Sequence, residues 1–479
     1  MPQGFDSYFG RILYSYNDKY LLSFSARNDG LSSLPEANRR GTFMGGSIGY
    51  RISQEEFYKN SGLNTVLSDL KLRASYATVG NTDIGSFPYV GIFSAAQYAS
   101  QNGIGFGQAG NPDLRWETSK KLDVGLDFGL FSNRITGSVD YFQNDVDDLI
   151  LAAPTAPSLG IPGNSINRNV GKMVNKGIEI ELNADIVNKE GFRWNASANF
   201  STVNNKITAL NRDPQGVDQD IVFTYNINRV GNPISALYGY ESAGVNPANG
   251  NPLFRKGNGQ IVQRDVISGG YGLYTPESPN SFSNVAAAAL SSADVAQGGD
   301  RRILGNTNPT YFGGLTNTFN YKGFDLEVFV RFSGGNKIMN VTRQESLLNQ
   351  DFNNNSRELL NRWTADNKNT EVPRVALNRG NIINFNGQAI SRFVESGDFI
   401  RIQNIAVGYT FPKDLLGRTN GIINSVRLFA QLQNAFTFTK YTGLDPELNS
   451  NGDTNSTFGI DYNANPQLRL VNFGINVGF

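Results

Sequence analysis

QLRLVNFGINVGF, residues Gln467 to Phe479, sets Val471, Phe473, Ile475, Val477 and Phe479 at every second position. Asn472, Asn476 and the glycines fall between them. Successive side chains on a strand point to opposite faces, so this period makes a strand with one apolar and one wet face. The pattern recurs. Leu122 to Leu130 alternates with Asp123 and Asp127, Ile178 to Ile186 with Glu179 and Glu181, Phe192 to Phe200 with Arg193 and Asn195, and Phe324 to Phe332 with Asp325 and Glu327. Phe399, Gln403, Ile405, Val407, Tyr409 and Phe411 form another stripe, with Arg401 as the exception on its face. Weaker versions fall at Tyr8 to Tyr16, Tyr20 to Asn28, Thr42 to Ile52, Leu70 to Val79, Ile135 to Gln143, Tyr311 to Tyr321 and Val426 to Asn434. Together they predict an all-β chain of about thirteen antiparallel spans, each near the length a tilted strand needs to cross a bilayer.

The connections alternate in length. Asn17 to Lys19, Phe131 to Asn133, Val187 to Gly191 and Lys322-Gly323 are short, and Ser53 to Asp69 and Pro412 to Ser425 are medium. Long Gly/Asn/Pro-rich connections lie near 80–115, 144–176, 204–310, 333–397 and 435–466. Short turns on one rim and long loops on the other predict a transmembrane β-barrel with the long loops outside the cell. A soluble β-sandwich would instead turn every 8–12 residues or so. Ile234 to Gly244 reads as a strand, but span parity places it inside a large external loop. Ser356 to Thr364 reads as a short helix with Ser356 as N-cap.

Composition removes whole chemistries. Basic and acidic residues balance at 42 each, so no bulk field favours nucleic acid. The chain has no cysteine and no histidine. Disulfides, thiolate or imidazole metal sites and Ser-His-Asp triads within it are excluded. Parity makes the first span run inward and the count odd, whereas single-chain bacterial barrels have even counts. Met1 to Gly10 carries no basic region followed by an apolar core. Both observations predict the back part of a longer barrel.

Six segments resemble the SusC/RagA-like family of TonB-linked outer-membrane transporters. They are LKLRASYATVGNTDIG (Leu70 to Gly85), NPDLRWETSKKLDVGLDFGLFSNRITGSVDYF (Asn111 to Phe142), VGKMVNKGIEIEL (Val170 to Leu182), ILGNTNPTYFGGLTNTFNYKGFDL (Ile303 to Leu326), GDFIRIQNIAVGYTFP (Gly397 to Pro412) and QNAFTFTKYTGLDPE (Gln433 to Glu447). The resemblance implies a 22-stranded barrel with an N-terminal plug and a TonB-contacting segment, neither of which this sequence matches. It implies a SusD-like surface lipoprotein as lid and oligosaccharide or peptide as cargo. It also makes Val471, Phe473, Ile475, Val477 and Phe479 the signal read by the barrel-assembly machinery.

Candidate sites follow from chemistry. Tyr225, Tyr238, Tyr240, Tyr271, Tyr274 and Trp363 lie in long loops and are candidate cargo contacts, because sugar rings stack on aromatic faces; loop packing is the equal alternative. Tyr14, Tyr16, Tyr20, Tyr141 and Tyr409 suit an interfacial girdle. Glu179/Glu181, Asp325/Glu327 and Asp123/Asp127 could be read as glycosidase pairs, but their alternation with apolar residues assigns them to a wet barrel face. Asp145, Asp147 and Asp148, or Asp445, Glu447 and Asp453, could hold calcium, although neither has an EF-hand spacing and solvated acids are the simpler reading. No cofactor is expected. The function expected is nutrient import across the outer membrane, this chain supplying barrel wall. The alternatives are a non-transporting receptor or adhesin, or a non-functional fragment.

Overall fold

A computed structural model describes residues 4–81, 85, 87–98, 100–161, 164–213, 215–282, 285–348, 350, 354–417, 422–450 and 457–479. One sheet runs through thirteen strands in sequence order. They are β1 (Phe5–Tyr16), β2 (Tyr20–Leu31), β3 (Arg40–Arg51), β4 (Leu67–Asn81), β5 (Glu117–Leu130), β6 (Ile135–Pro154), β7 (Ser165–Lys189), β8 (Phe192–Thr202), β9 (Tyr311–Tyr321), β10 (Phe324–Gly334), β11 (Phe399–Thr410), β12 (Ser425–Thr439) and β13 (Leu470–Gly478). Every neighbouring pair is antiparallel. Among the described residues β1 and β13 each pair on one side only, so the sheet is open. No described helix is long and apolar enough to cross a membrane.

Register turns the alternation into a surface. Tyr14, Leu22, Ile48, Ala74, Val124, Tyr141 and Ile178 are successive register partners across β1 to β7. All but Ala74 rank among the exposed large apolar side chains. A continuous exposed apolar face of this kind needs a non-aqueous cover. One residue along, Ser23, Ser47, Ser75 and Asp123 are partners on the opposite face. The turns joining these strands have sequence causes. Lys322 and Gly323 both take positive φ, 46° and 90°. That is the two-residue type I′ turn whose twist matches a hairpin.

Two expectations need correction. The stripe through β11 is not one face. Against β10 a bulge between Ile402 and Asn404 leaves Gln403 as the extra residue; against β12 the extra residue is on β12, where Asn434 and Ala435 oppose Gln403. Two residues on one strand then oppose one on the next, and every side chain before the bulge changes face. Phe399 and Arg401 therefore share the wet face, whereas Ile400 is exposed on the apolar one. Second, the 144–176 connection is largely strand. The β6–β7 hairpin carries on to Pro154 and Ser165. Val146, Leu149 and Leu151 on it are buried against Ile207, Leu210 and Ile221, and bulges after Val146 break the period that would have revealed it.

The other long connections build structure of their own. Ala236–Val245, the strand expected within an external loop, is the hub of an eight-stranded sheet separate from the wall. Lys337–Asn340 joins Val394–Ser396 and Ile460–Asp461 in a three-stranded sheet. Leu237, Tyr240, Phe254, Met339, Phe385 and Phe393 share a core with Ile460, so three connections fold as one body. Ser356 caps a short 3-10 helix, Arg357–Asn361, accepting from the Glu358 amide at 3.2 Å.

Candidate functional site

The wet face of the sheet gathers charge from non-neighbouring positions. Arg73 on β4 reaches Asp123 and Asp127 on β5 at 3.1 and 2.9 Å, and Asp140 on β6 at 2.5 Å. Lys71 also holds Asp127, at 2.9 Å. Arg427 on β12 grips Asp325 on β10 through both oxygens, at 3.0 and 2.5 Å. Asn404 donates to Glu327 at 3.2 Å. Asp123, Asp127, Asp325 and Glu327 thus have cations or amide donors against them, and Glu181 accepts from Asn183 at 3.0 Å. A concavity of about 870 Å³ opens on this face, bounded by Arg73, Asp140, Glu179, Glu181, Arg331 and Glu447, with Phe312 and Phe329 as apolar floor. The concavity thus presents both charge signs beside aromatic rings.

At its edge lies a denser cluster. Arg401 is 1% exposed. It donates to Asp445 at 2.6 Å and to Gln467 at 2.8 Å, and pairs with Glu447 at 3.2 Å. Arg331 pairs with the other Glu447 oxygen. Burial raises the Glu447 carboxyl above its usual range despite both guanidiniums. Asp445 and Glu447 thus face guanidiniums, and Asp453 lies outside the described residues. Asp147 is likewise taken by Lys120 and Lys172, at 2.6 and 3.0 Å, and Asp148 by Arg115 at 2.6 Å. Asp145 accepts from Gln143 at 3.0 Å.

The six loop aromatics do not converge on one cleft. Tyr238 and Tyr240 are buried in the loop body, which corrects their reading as cargo contacts: neither ring has a free face in this state. Tyr238 lies between Arg229 and Arg301, 5.5 and 4.2 Å from its centroid. Tyr240 packs on Phe385 at 5.3 Å, and Arg264 covers both Phe385 and Tyr271. Tyr225 donates to Glu345 at 2.8 Å. Burial pushes Tyr271 up to about 12 and raises Tyr225, Tyr238 and Tyr240. Trp363 donates to the Pro247 carbonyl at 3.0 Å. Tyr274 and Trp363 are half-buried and keep part of their rings open.

Of the girdle tyrosines, Tyr20 stacks with Tyr16 at 6.4 Å and with Tyr50 at 5.2 Å along the short-turn rim. Tyr409 joins Phe324 there at 4.5 Å. Tyr14 and Tyr141 sit within the apolar row instead. Val471, Phe473, Ile475 and Val477 of β13, and Phe479 just after it, all stand exposed, Phe473 by 80%.

Known proteins agree with this architecture. The family described as "TonB dependent receptor-like, beta-barrel" matches residues 2–254. "TonB-dependent receptor P3" of Formosa agariphila is 34% identical over 99% of this chain and 45% of its own length. "TonB-dependent receptor SusC" of Bacteroides thetaiotaomicron is 29% identical over 99% of this chain and 43% of its own. A solved chain of the RagAB peptide transporter, 26% identical, superposes with a TM-score of 0.77 over 100% of this chain and 48% of that one. The chain thus spans about half the length of the curated relatives it matches.

Proposed function

This chain belongs to the TonB dependent receptor-like β-barrel family of the outer membrane, and from that membership we propose that its thirteen strands supply wall to an energised importer of peptides. The observation that carries this is the pairing of two faces on one sheet: an unbroken apolar row from Tyr14 to Ile178 and a charged, ring-floored concavity behind it. The first suits lipid and the second suits a zwitterionic solute. The likeness to a peptide transporter along the whole chain favours peptide over oligosaccharide. In this reading the rim bearing the long loops faces outward, a SusD-like lipoprotein covers it, and TonB acts through a plug. Tyr274 and Trp363 remain candidate cargo contacts at the mouth. The exposed β13 stripe is the assembly signal, and lipid covers the apolar face.

The test is uptake of labelled peptides and oligosaccharides by cells carrying the gene or lacking it. The expected result is peptide uptake that disappears with the gene and with the inner-membrane proton gradient. Uptake of glycan alone would move the cargo class. Binding without gradient-dependent uptake would leave a surface receptor.

A further inference from the structure

Arg331 and Arg401 are register partners on adjacent strands. Like charges directly opposite one another destabilise a sheet, and the extra residue Gln403 against β10 is what turns Arg401 into this position. The counter-charges come from the 440–469 connection, which lays Asp445 and Glu447 across the pair. Pro446 stiffens the segment, and the Glu447 amide donates to Asp445 at 3.0 Å. Both guanidiniums lie over the Phe399 ring, at 5.5 and 5.4 Å. A guanidinium fork is a shape that suits a carboxylate, and here each fork already meets one through a single nitrogen. The loop does not saturate this seat: the Arg401 Nε donor is buried without a hydrogen-bond partner. Arg331, Gln403 and Glu447 also line the concavity, so the seat adjoins the proposed cargo path.

We propose that Arg331 and Arg401 form a carboxylate-binding seat that the chain's own Asp445 and Glu447 fill at rest, and that a carboxylated cargo competes for it and frees residues 440–450. This rests on the importer reading for its cargo. The ligand group is a carboxylate, from an acidic peptide or from a uronic acid. In the resting state the loop is its own inhibitor, and neutral solutes do not displace it.

The test uses purified full-length protein in detergent. Hydrogen exchange across 440–450 is followed with triglutamate, digalacturonate, triglutamine and maltose as probes. The expected result is faster exchange with one or both carboxylated probes and none with the neutral pair. Triglutamate alone identifies peptide as the source, and digalacturonate alone identifies uronic glycan. Asp445→Asn with Glu447→Gln is expected to tighten binding of the active probe about tenfold, because the internal competitor is gone. Exchange that ignores all four probes in the wild type, or responds equally to neutral and carboxylated ones, overturns the proposal without needing the variant to fold. Binding is measured apart from uptake. Failed uptake beside intact competition would therefore sink the importer reading and leave the seat standing.

Discussion

Val124 and Asp123 are chain neighbours in opposite solvents. Val124 stands in the exposed apolar row, and Asp123 pairs with Arg73 behind it. Val124→Arg is expected to destabilise the inserted fold by about 2–4 kcal/mol, as for a cation at the bilayer midplane. Ser47→Arg, on the wet face, is expected to cost under about 0.5 kcal/mol. Unfolding of the variants from lipid vesicles measures both, and equal costs would remove the two-sided reading. In the loop body, burial pushes the Glu358 carboxyl up, but Arg343 and Arg392 outweigh it and hold it below the usual range. Burial likewise pushes Asp294 and Asp300 up; backbone amides with Arg229 and Lys256 pull both back below. A carboxyl whose folded value lies below its unfolded one stabilises the fold above the unfolded value. That contribution is lost as pH falls through the folded one. The loop body is therefore expected to loosen below about pH 4, the ordinary carboxylate range. Trp363 fluorescence, with Trp116→Phe and Trp194→Phe removing the other two tryptophans, reads this directly. An emission unchanged down to pH 2.5 or so, below that range, would contradict it.

At the scale of elements, the thirteen wall strands were legible because period-two alternation is local and strong. Ile178 to Ile186 and Phe324 to Phe332 need no partner to be read. The Gln403 bulge was not legible as such. Its trace was Arg401 sitting on an apparently apolar stripe, an anomaly that one extra residue explains. The loop body was illegible for another reason. Its pairings join Lys337–Asn340 to Ile460–Asp461 and Gly239 to Ala389, and nothing local fixes partners so far apart. The candidate site was legible only as alternating carboxylates; Arg73, Arg331 and Arg401, which organise it, carry no motif. Tyr238 and Tyr240 misled because an aromatic in a loop segment looks exposed until that segment folds. Deleting Gln403 removes the extra residue against β10 and is expected to turn Arg401 toward lipid, costing about 2–4 kcal/mol. Heat-modifiability on a gel is expected to be lost; a deletion variant that migrates as the wild type would show that the bulge does not set the faces.

For the whole molecule, β1 and β13 each carry an unpaired edge among the described residues. Each unsatisfied backbone group in lipid costs several kcal/mol, so a spanning sheet must close. We expect these edges to find further strands in the working barrel. The account stands or falls on which face meets lipid. The absence of cysteine makes that question accessible. Single substitutions are placed along the apolar row (Leu22→Cys, Val124→Cys, Ile178→Cys) and the wet face (Ser23→Cys, Ser75→Cys, Glu179→Cys). Each is labelled with a fluorophore in reconstituted full-length protein and exposed to quenchers carried in lipid or in water. The account predicts lipid quenching for the first three and aqueous quenching for the second three. The reverse order, or aqueous quenching at all six, would contradict a membrane-spanning wall.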